Sequence, residues 1–293
     1  MRFTGAYTAL VTPFKNGALD EACYRRFIEW QIEQGINGLV PCGTTGESAT
    51  LTHDEHEQVV RICVEQAKGR VPVLAGAGSN NTAEAVRLTR FAKDVGADGA
   101  LLITPYYNKP TQEGLFRHYA AIAEAVDFPL VPYNVPGRTG CNLLPETLGR
   151  LARECPNIAG VKEATGDLAQ VSEVYEYCGP DFCLISGDDF TVLPLLSVGG
   201  CGVISVTSNI APAKMSRLCA SFTQGDLQSA RALHVELAPL NRAMFMETNP
   251  IPAKTALHMM GILDHLEFRL PLCPLGEASL NRLKETLRAA KLV

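Results

Sequence analysis

The sequence predicts a (β/α)8 barrel, because short strand-like segments and longer helix-like segments alternate along almost the whole chain. Eight apolar segments rich in β-branched residues have the length of strands. They are nearly continuous in hydrophobicity, which is typical of parallel strands buried on both faces. Eight such units close most naturally into a barrel, and a doubly wound open sheet is the alternative. The predicted strands span 6–13, 35–43, 71–78, 97–105, 128–136, 158–165, 182–189 and 201–209.

The segments between the predicted strands carry apolar residues at helical spacing. The helix after the second strand begins with Thr52 and Glu55, which have the spacing of a capping box. The chain after the eighth strand is longer than one barrel helix requires, and 227–246 and 252–261 have helical patterns. The sequence therefore predicts a barrel over 1–224 and a helical extension over 225–293, packed on the barrel.

Composition and charge narrow the classes of protein. A chain of 293 residues with 46% hydrophobic residues can bury one large core. The formal net charge is −5 and the basic residues are scattered, so we expect no binding to nucleic acid or to an anionic membrane. The first residues lack the pattern of a signal peptide, and no apolar run is long enough to span a membrane. We therefore expect a cytoplasmic protein.

Polar residues follow several predicted strands, at the end where (β/α)8 barrels carry their active sites. Thr44 and Thr45 stand between two glycines after the second strand. Such a turn exposes backbone N–H groups that can hold a carboxylate, although an ordinary turn is the alternative. Tyr106 and Tyr107 follow the fourth strand, where simple packing would also explain them.

Lys162 stands directly after the apolar start of the sixth predicted strand. A lysine is seldom buried unless it is paired or functional, although a lysine at a strand end can also extend into solvent. Tyr133 lies at the corresponding depth of the preceding strand, so the two side chains should converge. Because burial disfavours the ammonium form, Lys162 can act as a neutral amine that attacks a ketone and forms a Schiff base.

Two neighbouring residues fit the same chemistry. Tyr133 can transfer protons during formation of the Schiff base. Arg138 offers a planar fork for a substrate carboxylate, with a surface ion pair as the alternative. Together with Lys162 they predict a class I aldolase-type condensation.

Other motifs are weaker signals. The glycines at 76 and 78 lack the third glycine of a dinucleotide fingerprint, and the glycines at 199–202 precede a strand, where we expect a turn. His53 and His56 have helical spacing but no evident third ligand, so we expect no metal site. The ten cysteines are spread along the chain without a C-x-x-C pair. We expect them to be reduced and to pack mainly in the core.

Seven motifs occur in a characteristic order and spacing. They are GTTGES (43–48), PYYNKPTQEGL (105–115), YNVPGRTG (133–140), GVKEATGD (160–167), SGDD (186–189), GVISVTSN (202–209) and NPIPAK (249–254). In these motifs the chain resembles the dihydrodipicolinate synthase family, also known as the 4-hydroxy-tetrahydrodipicolinate synthase family, within the pyruvate-dependent class I aldolases and lyases.

The resemblance implies a reaction and a set of site residues. Pyruvate would form a Schiff base with Lys162, the enamine would add to the aldehyde of L-aspartate 4-semialdehyde, and the substrate amine would close the ring and release the lysine. No cofactor or metal is implied, because the iminium withdraws the electrons. The implied catalytic residues are Lys162, Tyr133, Thr44 and Tyr107, the last from a neighbouring subunit. The implied substrate-binding residues are Thr45 for the pyruvate carboxylate, Arg138 for the semialdehyde carboxylate and Ile204 for a backbone contact with pyruvate.

The resemblance also implies a homotetramer built as a dimer of dimers, and feedback inhibition by L-lysine. The implied inhibitor site consists of Ser48, Ala49, His53, His56, Asn80, Glu84 and Tyr106. Local structure offers an alternative for some of these residues. Asn81 and Glu84 would suit a helix cap, and His53 and His56 would suit a solvated first turn of a helix.

Two other functions remain open from the sequence. A sister pyruvate-dependent lyase, acting on N-acetylneuraminate or a keto-deoxy sugar acid, would share Lys162 and Tyr133. Arg138 distinguishes the two enzymes, because a sugar aldehyde lacks the carboxylate that an arginine would bind. A non-catalytic sensor built on the same fold is a third reading, and it would not form a Schiff base.

Overall fold

The computed structural model describes residues 3–293, in which eight parallel strands alternate with helices. Two further short strands form an antiparallel hairpin. The strands are β1 (Gly5–Ala9), β2 (Phe14–Lys15), β3 (Ala18–Leu19), β4 (Gly38–Val40), β5 (Leu74–Gly76), β6 (Gly99–Ile103), β7 (Leu130–Asn134), β8 (Gly160–Glu163), β9 (Cys183–Ser186) and β10 (Gly202–Ser205). The hydrogen-bonded order of the eight parallel strands is β4-β1-β10-β9-β8-β7-β6-β5.

Every predicted strand segment overlaps one of these parallel strands, and only β1 begins before its segment, by one residue, so the strand predictions are confirmed. The observed strands are shorter, because the polar residues at their carboxyl ends leave the sheet and form loops. The β2–β3 hairpin was missed. Its signal was the Asn16-Gly17 dipeptide, whose two residues both have positive φ, as a tight hairpin turn requires.

The helices lie where the helical patterns predict them, and the capping box of Thr52 and Glu55 is present in full. A four-residue helix in the YNVPGRTG motif was not predicted; its first residue, Pro136, is a favoured helix start. The helices are α1 (Glu21–Glu33), α2 (His53–Ala67), α3 (Thr82–Asp94), α4 (Gln112–Ala125), α5 (Pro136–Thr139), α6 (Pro145–Glu154), α7 (Leu168–Cys178), α8 (Val192–Ser197), α9 (Pro212–Thr223), α10 (Leu227–Met244), α11 (Ile251–Met259) and α12 (Glu277–Ala289).

The chain divides into two compact units. The first contains Val73–Ile204 together with the described residues up to Gly5. Its core is formed by apolar strand residues packed beneath α3–α8, and Leu102, Val131, Val161 and Leu184 are fully buried there. A side chain at Gly160 would have its Cβ 2.2 Å from the carbonyl oxygen of Cys183, so glycine allows the close approach of β8 and β9.

The second unit contains Ala6–Pro72 and Ser205–Val293. Helices α1, α2 and α9–α12 belong to it, and α10 and α11 confirm the helices predicted after the eighth strand. The boundary at residue 224 between barrel and extension stays a prediction. Within residues 3–293, no helix has both the length and the apolar character needed to cross a membrane.

All ten cysteines lie in the described part of the chain. Six of them are buried, which confirms the packing role predicted for most of them. Cys141, Cys178 and Cys201 are half-buried, and Cys273 is exposed.

Candidate active site

The side chains of Lys162 and Tyr133 meet, as the strand pattern predicts. The register of β7 and β8 places the two residues opposite each other. The Lys162 Nζ lies 3.9 Å from the centroid of the Tyr133 ring. Lys162 is only 6% exposed and Tyr133 is buried, so the alternative of a lysine extending into solvent is wrong.

Burial is also the main influence on the protonation of Lys162. Removal from water lowers the pKa of its amine to about 7, against the opposing effect of the Asp189 carboxylate and with a smaller contribution from the positive charge of Arg138. A large fraction of the amine is therefore neutral near pH 7, as a nucleophile for a ketone must be. Burial thus acts in the direction that the sequence predicts, towards the neutral amine.

The stem of Lys162 packs against Gly187, which follows β9. A Cβ at Gly187 would lie 2.9 Å from Lys162 Cε and 3.1 Å from Cγ. The Gly187 N–H donates to the carbonyl oxygen of Glu163, and this 2.7 Å hydrogen bond fixes the backbone beside the lysine. Gly187 and the buried Asp189 belong to the SGDD motif, but no role for either follows from the sequence pattern alone. Only the position of that motif after a predicted strand pointed to them.

Arg138 lies in α5, immediately after β7. Its side chain is exposed, and within residues 3–293 it forms no ion pair with a carboxylate. The surface ion pair considered as an alternative is therefore not formed. The N–H of Arg138 donates to the carbonyl oxygen of Val135 at 2.9 Å, so the guanidinium is carried by a hydrogen-bonded turn while its donors stay accessible.

Tyr107 is not packed in the core that surrounds Lys162. It is 90% exposed and has a φ of 70°, which places the residue in the left-handed region. The turn around it is held by Asn108, whose side-chain amide donates to the carbonyl oxygen of Asn80 at 3.0 Å. Packing within this chain therefore does not explain Tyr107.

Ile204 is the remaining predicted substrate-binding residue in the first unit. It lies in β10, two residues after Gly202, and is fully buried. Its role as a backbone contact for pyruvate stays a prediction.

The second unit holds Thr44 and Thr45 in a 3-10 turn, Thr44–Gly46, directly after β4. The Thr45 side chain is buried, and its Oγ1 accepts a 3.0 Å hydrogen bond from Nδ2 of Asn249 in the NPIPAK motif. Thr12 Oγ1 donates to the carbonyl oxygen of Gly46 at 2.7 Å. The turn that was predicted to hold a carboxylate is therefore fixed from both sides.

A buried ion pair supports the same turn. The Lys254 Nζ lies 2.6 Å from Oε1 of Glu47, and both side chains are fully buried. Glu47 adopts the left-handed conformation, and its Oε2 accepts from the N–H of Arg269 at 3.2 Å. Burial lowers the pKa of Lys254, and the Glu47 carboxylate opposes that effect. Neither residue of the pair was predicted to have a role, although Glu47 lies in the GTTGES motif and Lys254 lies in the NPIPAK motif.

The residues of the implied inhibitor site belong to both units. In the first, the Asn80 side-chain amide donates to the carbonyl oxygen of Tyr106 at 3.2 Å, and Glu84 accepts from the hydroxyl of Ser79. Asn81 accepts from the N–H of Ala83 and caps α3, which confirms half of the capping alternative. Ser79 is therefore one hydrogen-bond partner of Glu84.

In the second unit, Ser48 and Ala49 form the start of a 3-10 turn. His53 is the first residue of α2 and is exposed. His56 is buried, so the interpretation of a wholly solvated first turn is wrong for this residue.

Comparison with known proteins places these features in a family. The model of the dihydrodipicolinate synthetase family matches residues 2–290. A 4-hydroxy-tetrahydrodipicolinate synthase from Nitratidesulfovibrio vulgaris (strain DP4) is 70% identical over 293 residues, which is 100% of both chains. The crystal structure of an Acinetobacter baumannii dihydrodipicolinate synthase complexed with pyruvate has a TM-score of 0.96 and 48% identity, covering 99% of this chain and 100% of that one. A Cyanidioschyzon merolae dihydrodipicolinate synthase with lysine bound has a TM-score of 0.96 and 42% identity, covering 99% of each chain.

The alternating strands and helices and these structural likenesses confirm the (β/α)8 fold class. A buried lysine of lowered pKa near the carboxyl end of a barrel strand, facing a tyrosine, has the chemistry that an aldolase-type lyase requires. The chain belongs to the dihydrodipicolinate synthetase family.

The first testable prediction concerns the pH dependence of Lys162. The rate at which pyruvate forms a Schiff base should rise with pH through a midpoint near the lysine pKa of about 7, because only the neutral amine attacks. The Asp189 carboxylate raises that pKa, so Asp189→Asn should move the midpoint to lower pH. Single-turnover trapping with borohydride across a pH series measures it.

Asp188→Asn is the matched control, because Asp188 is not among the charges that shift the pKa of Lys162. Its midpoint should stay at the wild-type value. An unchanged midpoint in Asp189→Asn, or a shift to higher pH, would show that the Asp189 charge does not act on the lysine.

The second prediction concerns the Glu47–Lys254 pair. Lys254→Met should lower the free energy of unfolding by about 3–5 kcal/mol, because Glu47 would remain buried without its cation. Denaturant unfolding with a tryptophan or circular-dichroism signal measures the change.

Lys214→Met provides the comparison for that measurement. Lys214 pairs with Glu236 at 2.8 Å near the surface, so its loss should cost less than about 1 kcal/mol. Equal losses of unfolding free energy in the two variants would contradict the larger contribution predicted for the buried pair.

Proposed function

We propose that the protein is a 4-hydroxy-tetrahydrodipicolinate synthase that condenses pyruvate with L-aspartate 4-semialdehyde through a Schiff base on Lys162. The observation that carries the proposal is the buried Lys162 amine of lowered pKa against the face of Tyr133. Membership of the family and the names of the curated relatives favour the synthase over a sugar-acid lyase. The reaction belongs to the diaminopimelate route to L-lysine.

The chemistry begins at the Lys162 Nζ. The neutral amine attacks the keto carbon of pyruvate, and the carbinolamine that forms loses water to give a protonated imine. The imine draws electrons from the neighbouring methyl carbon, which loses a proton and becomes the nucleophilic carbon of an enamine. Tyr133 would move protons through these steps, and the contact of its ring with the lysine supports this role.

The enamine carbon then attacks the aldehyde of the second substrate, and a new carbon–carbon bond forms. The α-amine of that substrate attacks the imine carbon, the ring closes, and Lys162 leaves as a free amine. The imine supplies the electron sink for these steps, so the proposed reaction uses no metal or other cofactor.

The threonine turn supplies the proposed pyruvate contacts. Thr45 would bind the pyruvate carboxylate through its hydroxyl and the N–H groups of the turn, and Thr44 would join Tyr133 in the proton relay. Support comes from the rigid hold on the turn by Asn249 and by the Glu47–Lys254 pair. Ile204 would contribute a backbone contact.

Arg138 is the proposed receptor for the carboxylate of the semialdehyde. Its guanidinium is exposed and forms no ion pair among the described residues, so it is available for a bidentate contact. The sister lyases act on sugar aldehydes, which have no carboxylate at that position.

The proposed assembly is a homotetramer, a dimer of dimers in which Tyr107 enters the proton relay of a neighbouring subunit. The 90% exposure of this tyrosine and its left-handed backbone leave the ring available to a second chain. A cytoplasmic location accords with a biosynthetic role.

Feedback inhibition by L-lysine is part of the proposal. The solved relative from Cyanidioschyzon merolae contains bound lysine. In this chain Glu84 provides a carboxylate for an ammonium group, and Asn80 and Tyr106 are joined by a hydrogen bond that fixes their loops. Ser48, Ala49, His53 and His56 are the remaining residues of the proposed inhibitor site.

The third prediction tests the choice of aldehyde. In assays of pyruvate consumption, L-aspartate 4-semialdehyde should be used far more efficiently than N-acetylmannosamine or glyceraldehyde. Arg138→Ala should lower kcat/KM for the semialdehyde by about 100-fold, because one bidentate charged contact is lost. Its KM for pyruvate should stay close to the wild-type value.

Arg153→Ala is a suitable control, since Arg153 lies at the end of α6 rather than in the loop after β7. It should leave both substrates unaffected. Preference for a sugar aldehyde would still agree with Schiff-base chemistry on Lys162, but it would assign the protein to a sister lyase. Equal loss of both substrates in Arg138→Ala would argue against a role in carboxylate binding.

A further inference from the structure

Four polar side chains form a closed group on the outer side of β7 and β8. Asn134 and Glu163 come from the two strands, Gln170 comes from α7, and Asn142 precedes α6. Asn134 is fully buried, and Glu163 is 2% exposed. The catalytic scheme above uses none of the four.

Every polar atom of these four side chains has a partner. Nδ2 of Asn134 donates to Oε2 of Glu163 at 3.0 Å and to Oδ1 of Asn142 at 2.7 Å. Gln170 Nε2 donates to the same Glu163 oxygen at 3.2 Å and to Asn142 Oδ1 at 3.1 Å, and Asn142 Nδ2 donates to Gln170 Oε1 at 2.8 Å. A buried network that is fully satisfied specifies one arrangement, since any other leaves a buried group unpaired.

Three backbone contacts extend the network to the adjoining loops, and one of them runs from Asn134 Nδ2 to the carbonyl oxygen of Leu143 at 3.5 Å. Glu163 Oε1 accepts from the N–H of Thr165 at 2.7 Å, which fixes the loop after β8. Asn134 Oδ1 accepts from the N–H of Leu143 at 2.9 Å.

The network lies directly behind the two central residues of the active site. Successive side chains of a strand point to opposite faces. Tyr133 and Lys162 therefore face one way, while their neighbours Asn134 and Glu163 face the other and pair with each other in the same register.

The network also closes the loop that carries Arg138. Residues 135–141 leave β7 at Asn134 and return at Asn142, and the Asn134–Asn142 hydrogen bond joins the two ends. Inside the loop, the turn around Arg138 is held by local bonds such as the one from Gly140 N–H to the Pro136 carbonyl oxygen. Two further contacts tie the loop to the segment after β6: Thr104 Oγ1 donates to Thr139 Oγ1 at 3.2 Å, and Cys141 Sγ donates to the carbonyl oxygen of Pro105 at 3.1 Å. The position of the turn as a whole therefore depends on these contacts together with its two anchored ends.

We propose that Asn134 and Glu163 are positioning residues that fix the Arg138 loop relative to the Lys162 strand, and so set the affinity for the second, carboxylate-bearing substrate. This inference rests on the proposed function. The two residues touch no substrate and act through the loop. Disturbing them should weaken use of the semialdehyde while Lys162 still condenses with pyruvate, because the lysine is held separately by Tyr133 and Gly187.

The fourth prediction uses two single variants and their combination. Asn134→Asp places a second carboxylate oxygen 3.0 Å from Glu163, and Glu163→Gln places an amide where two donors already point. Each single variant should raise KM for L-aspartate 4-semialdehyde about tenfold, because small displacements of a substrate-binding group have large effects. The KM for pyruvate should change by less than about twofold, and borohydride trapping of pyruvate should persist.

The double variant Asn134→Asp with Glu163→Gln should restore the wild-type KM for the semialdehyde. The carboxylate and the amide exchange places, and the amides of Asn142 and Gln170 can each rotate by half a turn. Every hydrogen bond among the four side chains is then re-formed in the opposite direction, with the same total charge.

Asn142→Ala is a further test of the inference, and Asn157→Ala is a control. Asn142→Ala removes the bond that closes the loop but leaves Glu163 its bonds to Asn134 and Thr165, so it tests the inference if either single variant fails to fold. Asn157 makes two hydrogen bonds to backbone oxygens, at 2.9 and 3.0 Å, away from the loop, so its variant should change stability without a selective effect on the semialdehyde.

Equal changes in both KM values, loss of Schiff-base trapping in the single variants, or no recovery in the double variant would overturn the positioning role. Failure of the proposed function has a different signature, since the wild-type protein would then not prefer the semialdehyde at all. The wild-type measurement therefore separates the two outcomes.

Discussion

The removal of the Lys162 amine from water is the constraint on which the rest of the site depends. It lowers the pKa of this group to about 7, and no other side chain in the scheme can replace the neutral amine. The register of β7 and β8, the ring of Tyr133 and the missing side chain at Gly187 all serve to keep the lysine in this position. Asp189 limits the fall in pKa, so the amine remains able to accept protons as the reaction proceeds.

A second buried lysine in the same chain, Lys254, has charged and polar partners that Lys162 lacks. Lys254 lies 2.6 Å from a Glu47 oxygen and donates to the carbonyl oxygen of Glu267 at the same distance. Those partners favour its charged form and make it a structural element of the threonine turn. Lys162 faces an aromatic ring instead, and the charge of Asp189 opposes the effect of burial on its pKa. Two lysines of similar burial thus have different chemistry because of their neighbours.

The sequence was sufficient to locate the strands, the threonine turn, Arg138 and the meeting of Lys162 with Tyr133, because each follows from alternation and from the end of a strand. Partners far apart in the chain could not be derived in this way. Glu47 and Lys254 are separated by 207 positions, and no local pattern connects them. The Asn134–Glu163 network depends on side chains that face away from the site, and its members look like ordinary polar residues. The burial of His56 likewise depends on packing rather than on local spacing.

The most direct test of the account is to incubate the protein with pyruvate, reduce it with borohydride and locate the modified residue by peptide mass spectrometry. The account predicts one reduced pyruvate adduct, on Lys162, and none on the equally buried Lys254. The adduct should be absent from Lys162→Arg, which retains the charge but not the amine. Absence of an adduct from the wild-type protein, or modification of another lysine, would contradict the assignment of Lys162 as the nucleophile.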